Sequence, residues 1–197
     1  MLTSDDLLAP YWLALGKFVH RYAEIEAAMH QVLRIVSDVP DRTAQALFSG
    51  TRVSQATDIV KRLYTARRAH LPLYLQKAFS QIGVVNKARD RLLHHGMQFE
   101  HGKIIVTDES KNIPSRAFKH VISVADMEAL EEDATTIQAC LVCFWIESRR
   151  PDLIGGEHHT GWVSLAQAQW RYSQPKPLKT RTVLRGSVQE RKTRLQS

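Results

Sequence analysis

Two cysteines in 197 residues, Cys140 and Cys143, are too few for a disulfide framework. They lie three apart in a helical apolar pattern beside Ile137, Leu141 and Phe144 and read as small core residues; a structural zinc needs four ligands. Long apolar runs are missing too. Nothing approaches the roughly eighteen consecutive apolar residues of a transmembrane helix, so no membrane partner is expected. The opening Met1-Leu2-Thr3-Ser4-Asp5-Asp6 is acidic and lacks the basic-then-apolar layout of a signal peptide, which predicts a cytoplasmic protein. His158-His159 has no second pair at metal-binding spacing. Gly155-Gly156 lacks the strand and helix of a phosphate loop, and no Gly-x-Ser-x-Gly element occurs. No metal and no cofactor is expected, and there is no internal repeat.

What is present suits one good core: 44% hydrophobic residues over this length is too little for two full domains. Charge is concentrated at one end. Of 27 Lys and Arg, eight fall in residues 171–197 (Arg171, Lys176, Lys179, Arg181, Arg185, Arg191, Lys192 and Arg194), against Glu190 alone of 20 acidic residues. The first 170 residues are therefore balanced, and the tail holds the whole +7. With few apolar residues it is expected to be disordered and to add phosphate affinity without sequence preference.

Periodicity marks five helices. Tyr11, Leu15, Phe18, Tyr22, Ile25, Met29, Val32 and Val36 alternate in threes and fours, predicting a long helix after Pro10 that ends before Pro40. A short helix follows Asp41 and stops at Gly50. A third runs from a Thr51 cap through Val53, Ala56, Val60 and Leu63 to about His70, and Pro72 opens the fourth. The period then changes. Met97–Glu100, His101-Gly102 and Lys103–Thr107 read as a β-hairpin, with Phe118–Ile122 as a third strand. Ser123 caps the fifth helix, whose stripe is Met127, Leu130, Ala134, Ile137, Leu141 and Phe144. The expected fold is all-α, a helical bundle of about five helices with a small β-hairpin inserted after the fourth. Residues 1–150 form the helical domain, 151–170 an extension with a short helix over Val163–Arg171, pinned by Trp162 and Trp170, and 171–197 the tail.

The chemistry gathers at the end of the fourth helix, in Arg89-Asp90-Arg91-Leu92-Leu93-His94-His95-Gly96. Arg89 is seven residues past Ile82, on the same face as Leu75, Ala78, Phe79 and Val85, where a guanidinium must be paired or must meet a ligand or partner chain. Asn86, Asp90 and His94 form a neighbouring row at four-residue spacing. Asp90 can thus set the orientation and tautomer of His94 and favour its protonated form. Arg89 and His94 lie roughly 140° apart on a regular helix, so they converge only if the last turn unwinds or if two chains each contribute a motif. His95 is a second candidate imidazole.

An arginine, a polar residue, and a histidine four to six positions past the arginine is the hallmark of the HEPN (higher eukaryotes and prokaryotes nucleotide-binding) superfamily, which residues 8–150 resemble. Ala23-Glu24-Ile25-Glu26 resembles a first-helix segment of such proteins, with Glu26 at the inward-facing acidic position as a partner for Arg89. Two departures stand out: Asp90 replaces the commoner Asn, and His95 stands where Gly usually follows the histidine. The resemblance implies a metal-independent endoribonuclease of toxin–antitoxin or defence type, working as a homodimer with a composite site. It also implies pairing with a nucleotidyltransferase-type antitoxin. Arg89 would stabilise the phosphorane, His94 or His95 would move protons, Asp90 would orient the histidine, and Arg91 and the tail cations would contact RNA. The alternative is a non-catalytic helical dimer that binds RNA or nucleotide as an interaction module.

Overall fold

The computed structural model describes residues 4–94, 97–100, 103–108 and 118–175. The elements run α1 (Ser4–Ser37), α2 (Asp41–Phe48), α3 (Val53–Ala66), α4 (Leu73–His94), β1 (Met97–Glu100), β2 (Lys103–Asp108), β3 (Phe118–Ile122), α5 (Val124–Arg149), a 3-10 turn (Pro151–Leu153) and α6 (Glu157–Ala166). The fold is a helical bundle with a small three-stranded antiparallel sheet inserted after α4. Among the described residues, no helix is long and apolar enough to cross a membrane.

The chain separates into two units, one built from α1, α2, α3, most of α4, α5 and α6, the other containing the end of α4 and the three strands. In the first unit, α1 packs along α5 and α3, and α6 packs on α5. The apolar rows of the sequence are its core: Phe18, Ile25, Met29, Leu75, Ile82, Leu130 and Ile137 are all at most 2% exposed. Full burial of one such side chain contributes about 1.5–3 kcal/mol. In the second unit, the register sets Ile104 opposite Ile122 and Val106 opposite His120, and all four are buried. Cross-strand partners share a face, so this is the inward face of the sheet. The expected turn at His101-Gly102 lies outside the described residues.

Helix ends differ from the sequence expectation in instructive ways. The first helix begins at Ser4 and carries Pro10 inside it. Proline forfeits one hydrogen bond, to the carbonyl four residues back, and this close to a helix start little else is lost. Thr51 does not cap α3; Arg52 occupies the cap, and Gln55 Oε1 reaches back to its N–H at 3.1 Å. The same helix ends at Ala66, because Arg68 takes a left-handed conformation (φ 52°) that reverses the chain. Ser123 caps α5 as expected, accepting from the Asp126 N–H while its own N–H donates to Asp126. The last helix starts six residues before the expected Val163, since Gly156 supplies the cap and His159 Nδ1 accepts from the Gly155 N–H at 3.2 Å.

The C-terminal extension has an anchor that no apolar pattern flags, Asp133, in addition to the half-buried Trp162 and Trp170. Asp133 is wholly buried in α5. Its carboxylate accepts from the Arg171 N–H at 2.7 Å, the Tyr172 N–H at 3.1 Å and Gln81 Nε2 at 2.5 Å. Burial pushes its carboxyl above the usual range, against the pull of those three donors. Tyr172, assigned to the tail by sequence, is 6% exposed, so the folded chain continues past Arg171. Asp133→Ala strands three donors and should cost about 2–4 kcal/mol in denaturant unfolding. It should also speed tryptic cleavage at Arg171; unchanged protection there would show that the carboxylate does not hold the segment.

Candidate functional site

Arg89 follows the buried Ala88 at the edge of the inward face of α4, with its side chain 30% exposed. Beneath it lies Tyr22 of α1, itself 4% exposed; the guanidinium carbon stands 5.2 Å from the ring centroid. Asp90 Oδ1 accepts from Arg89 Nη1 at 3.0 Å. The arginine is therefore stacked on one side and paired on one edge. The stack is the stronger restraint, since a half-exposed ion pair contributes about 0.2–1 kcal/mol and a partly desolvated cation–π contact about 0.5–2 kcal/mol.

The same tyrosine organises a second residue. Its hydroxyl donates to Asn86 Oδ1 at 2.5 Å. Burial is the main reason that the phenol's pKa is pushed up to about 12. The charges of Glu26 and Asp90 add to this, and Arg89 opposes it. At neutral pH the phenol keeps its proton and acts as a donor. Tyr22, Glu26, Asn86, Arg89 and Asp90 thus form one cluster between α1 and α4, all within the first unit.

The arrangement redistributes the roles expected from sequence. Arg89 is paired with Asp90, whereas Glu26 acts on the Tyr22 phenol. The Asp90 carboxylate, expected to orient an imidazole, is engaged by Arg89. His94 is the last residue of α4 and is exposed. Arg91 is half-buried and already engaged within the protein. His95, Lys176, Lys179, Arg181, Arg185, Arg191, Lys192 and Arg194 lie outside the described residues. Tyr22 was counted only as a member of the apolar row; the signal was its hydroxyl, which needs a partner once buried.

Other chemistry is sparse. Among the described residues, no group of three or more His, Cys, Asp or Glu could hold a metal ion. Cys140 and Cys143 are free and buried, and burial pushes their thiols up to about 12 and about 11, so they are poor nucleophiles. A groove of about 920 Å³, lined by Tyr74, Lys77, Cys140 and Trp170 among others, lies at the start of α4, at the opposite end from Arg89. Arg89 and Asp90 are both partly exposed, so solvent reaches the cluster there. No family model, curated protein or solved structure matches the chain.

Because Arg89 is held by a stack and an exposed pair, Arg89→Ala should lower stability by no more than about 1–2 kcal/mol. A loss beyond about 3 kcal/mol in chemical denaturation would mean that this arginine is a structural core residue.

Proposed function

We propose that this protein binds RNA through its phosphates at Arg89 and cleaves it without a metal ion. The observation that supports this reading is a guanidinium stacked, paired on one edge and still solvent-accessible, a preorganised donor fork of the kind that suits a phosphoryl group. In the proposed reaction a 2′-oxygen attacks the adjacent phosphorus, the bond to the 5′-oxygen breaks, and a cyclic phosphate end remains. The attacking hydroxyl gives its proton to a base, and the departing oxygen takes one from an acid. His94 or His95 would carry both transfers, an imidazole being able to accept and to donate a proton. The cell location that fits is the cytoplasm. The biological setting that fits is a toxin or defence system, with a nucleotidyltransferase-type antitoxin as partner.

A homodimer completes this reading. Trp12, Val19 and Glu26 repeat at sevens along one side of α1, and Trp12 and Val19 are exposed. In the proposed dimer a second copy covers that side of α1. Strictly monomeric elution at micromolar concentration would count against the composite site.

A second reading has its own support. Asp90 Oδ1 is held by Arg89 and not by a histidine, an arrangement that also suits a non-catalytic RNA- or nucleotide-binding module. Mutants separate the two. Under the enzyme reading Arg89→Ala and His94→Ala each lose about 10²–10⁴ in cleavage rate, with fold retained by circular dichroism, and His95→Ala loses less. Cleavage persists in excess EDTA; activity lost in chelator and restored by magnesium or zinc would overturn the chemistry. If wild type is inert on every RNA tried but Arg89→Ala binds RNA more weakly, the binding module is the function.

The tail offers an independent check. Deleting residues 176–197, a cut that spares the Tyr172 anchor, should weaken RNA binding and flatten its salt dependence. Each lost phosphate contact reduces the slope by roughly 0.7 for single strands. Equal salt slopes for the two proteins would show that the tail does not touch RNA.

A further inference from the structure

Asn86 has one oxygen and two N–H donors on its amide, and its oxygen is taken. The hydrogen bond from the Tyr22 hydroxyl engages Oδ1, and among the described residues the Nδ2 donors have no partner. Asn86 and Arg89 are three apart on α4, neighbours on its surface, and both rest on the same tyrosine, one on its hydroxyl and the other on its ring. Asp90 engages only Nη1 of the guanidinium, which leaves Nε and Nη2 with further donors.

We propose that Tyr22 is a positioning residue that locks the amide of Asn86, so that its Nδ2 donors and the unpaired edge of Arg89 form a clamp for a monoanionic phosphodiester. The proposal rests on the RNA-phosphate reading above and names what the site accepts. In this structure the Tyr22 hydroxyl donates to Oδ1, and that orientation of the amide turns Nδ2 away from the phenol. A high Tyr22 pKa keeps the hydroxyl a donor throughout the working range of pH.

The nearby carboxylates set the selectivity. Asp90 and Glu26 both bear on the cluster, so any anion there meets repulsion as well as the guanidinium. With two carboxylates against one guanidinium the net charge of the cluster is negative, and its repulsion grows with ligand charge, about −1.5 to −2 for a terminal phosphate monoester at neutral pH against −1 for a diester. Neutral amide donors add no charge that would favour the dianion. The clamp therefore prefers an internal phosphodiester over a chain end bearing a terminal phosphate.

The test is fluorescence anisotropy of the full chain with a dye-labelled single-stranded oligoribonucleotide that has no terminal phosphate. Asn86→Ala should weaken binding about tenfold, and Tyr22→Phe about three- to tenfold with fold retained. The double variant Tyr22→Phe/Asn86→Ala should lose no more than Asn86→Ala alone, because the hydroxyl acts through the amide. In competition, uridylyl-uridine should displace the probe at lower concentration than uridine 5′-monophosphate. Additive losses in the double variant, or wild-type binding by Asn86→Ala, would overturn the clamp, and equal or better competition by the monophosphate would overturn its selectivity. Arg89→Ala separates the two levels. If it loses binding while Asn86→Ala does not, only the clamp fails; if it binds like wild type, the RNA-phosphate reading fails with it.

Discussion

A guanidinium at the margin of a buried helix face cannot be left alone, because a desolvated charge without a partner is far costlier than any gain in packing. Arg89 meets this constraint with two weak restraints of different kind. The ring of Tyr22 takes its flat side, and Asp90 takes one edge. Neither restraint consumes the whole donor set, so the arginine is fixed in place and still able to engage a ligand. Packing and chemistry meet in Tyr22: its ring belongs to the α1 core, and its hydroxyl belongs to the cluster. A phenylalanine there would pack as well and orient nothing.

The helices were legible because burial imposes a period. The rows through Phe18 and Ile25, through Phe79 and Ile82, and through Leu130 and Ile137 are the core in the folded chain, as their spacing predicts. Helix ends were less legible, since they depend on single hydrogen bonds with several near-equivalent solutions. Thr51 and Arg52 compete for one cap, and Gln55 decides in favour of Arg52. Pro10 is compatible with either starting a helix or sitting in its early turns, and only the residues before it settle which.

The site was legible in part for a related reason. Arg89 stood out because a charge interrupts the apolar row, and Asn86 and Asp90 followed from four-residue spacing. Which carboxylate reaches the arginine was not legible. Glu26 was the expected partner and Asp90 was assigned to the histidine; the choice between a cross-helix and an adjacent partner depends on distances that periodicity does not carry. Asp133 escaped notice for the opposite reason. It lies one position before Ala134 and three after Leu130, on the buried side of α5, where a carboxylate needs donors that come from residues 38 and 39 positions away in the chain.

Asp133 and Arg89 show two ways of placing a charge in a helical core, with different consequences. Asp133 is wholly buried and has two peptide N–H groups and an amide at its oxygens; a group so fully satisfied rigidifies its surroundings and offers nothing to a ligand. Arg89 is partly exposed and only partly satisfied within the protein, which leaves donors facing solvent. The two are also linked along the chain. Asp133 fixes the backbone at Arg171 and Tyr172, and the remaining tail cations all follow that point. The described chain is therefore held to the bundle as far as Tyr172. Under the proposed function the tail cations add phosphate affinity without selecting among phosphates, and that selection is left to the neutral donors and carboxylates around Arg89.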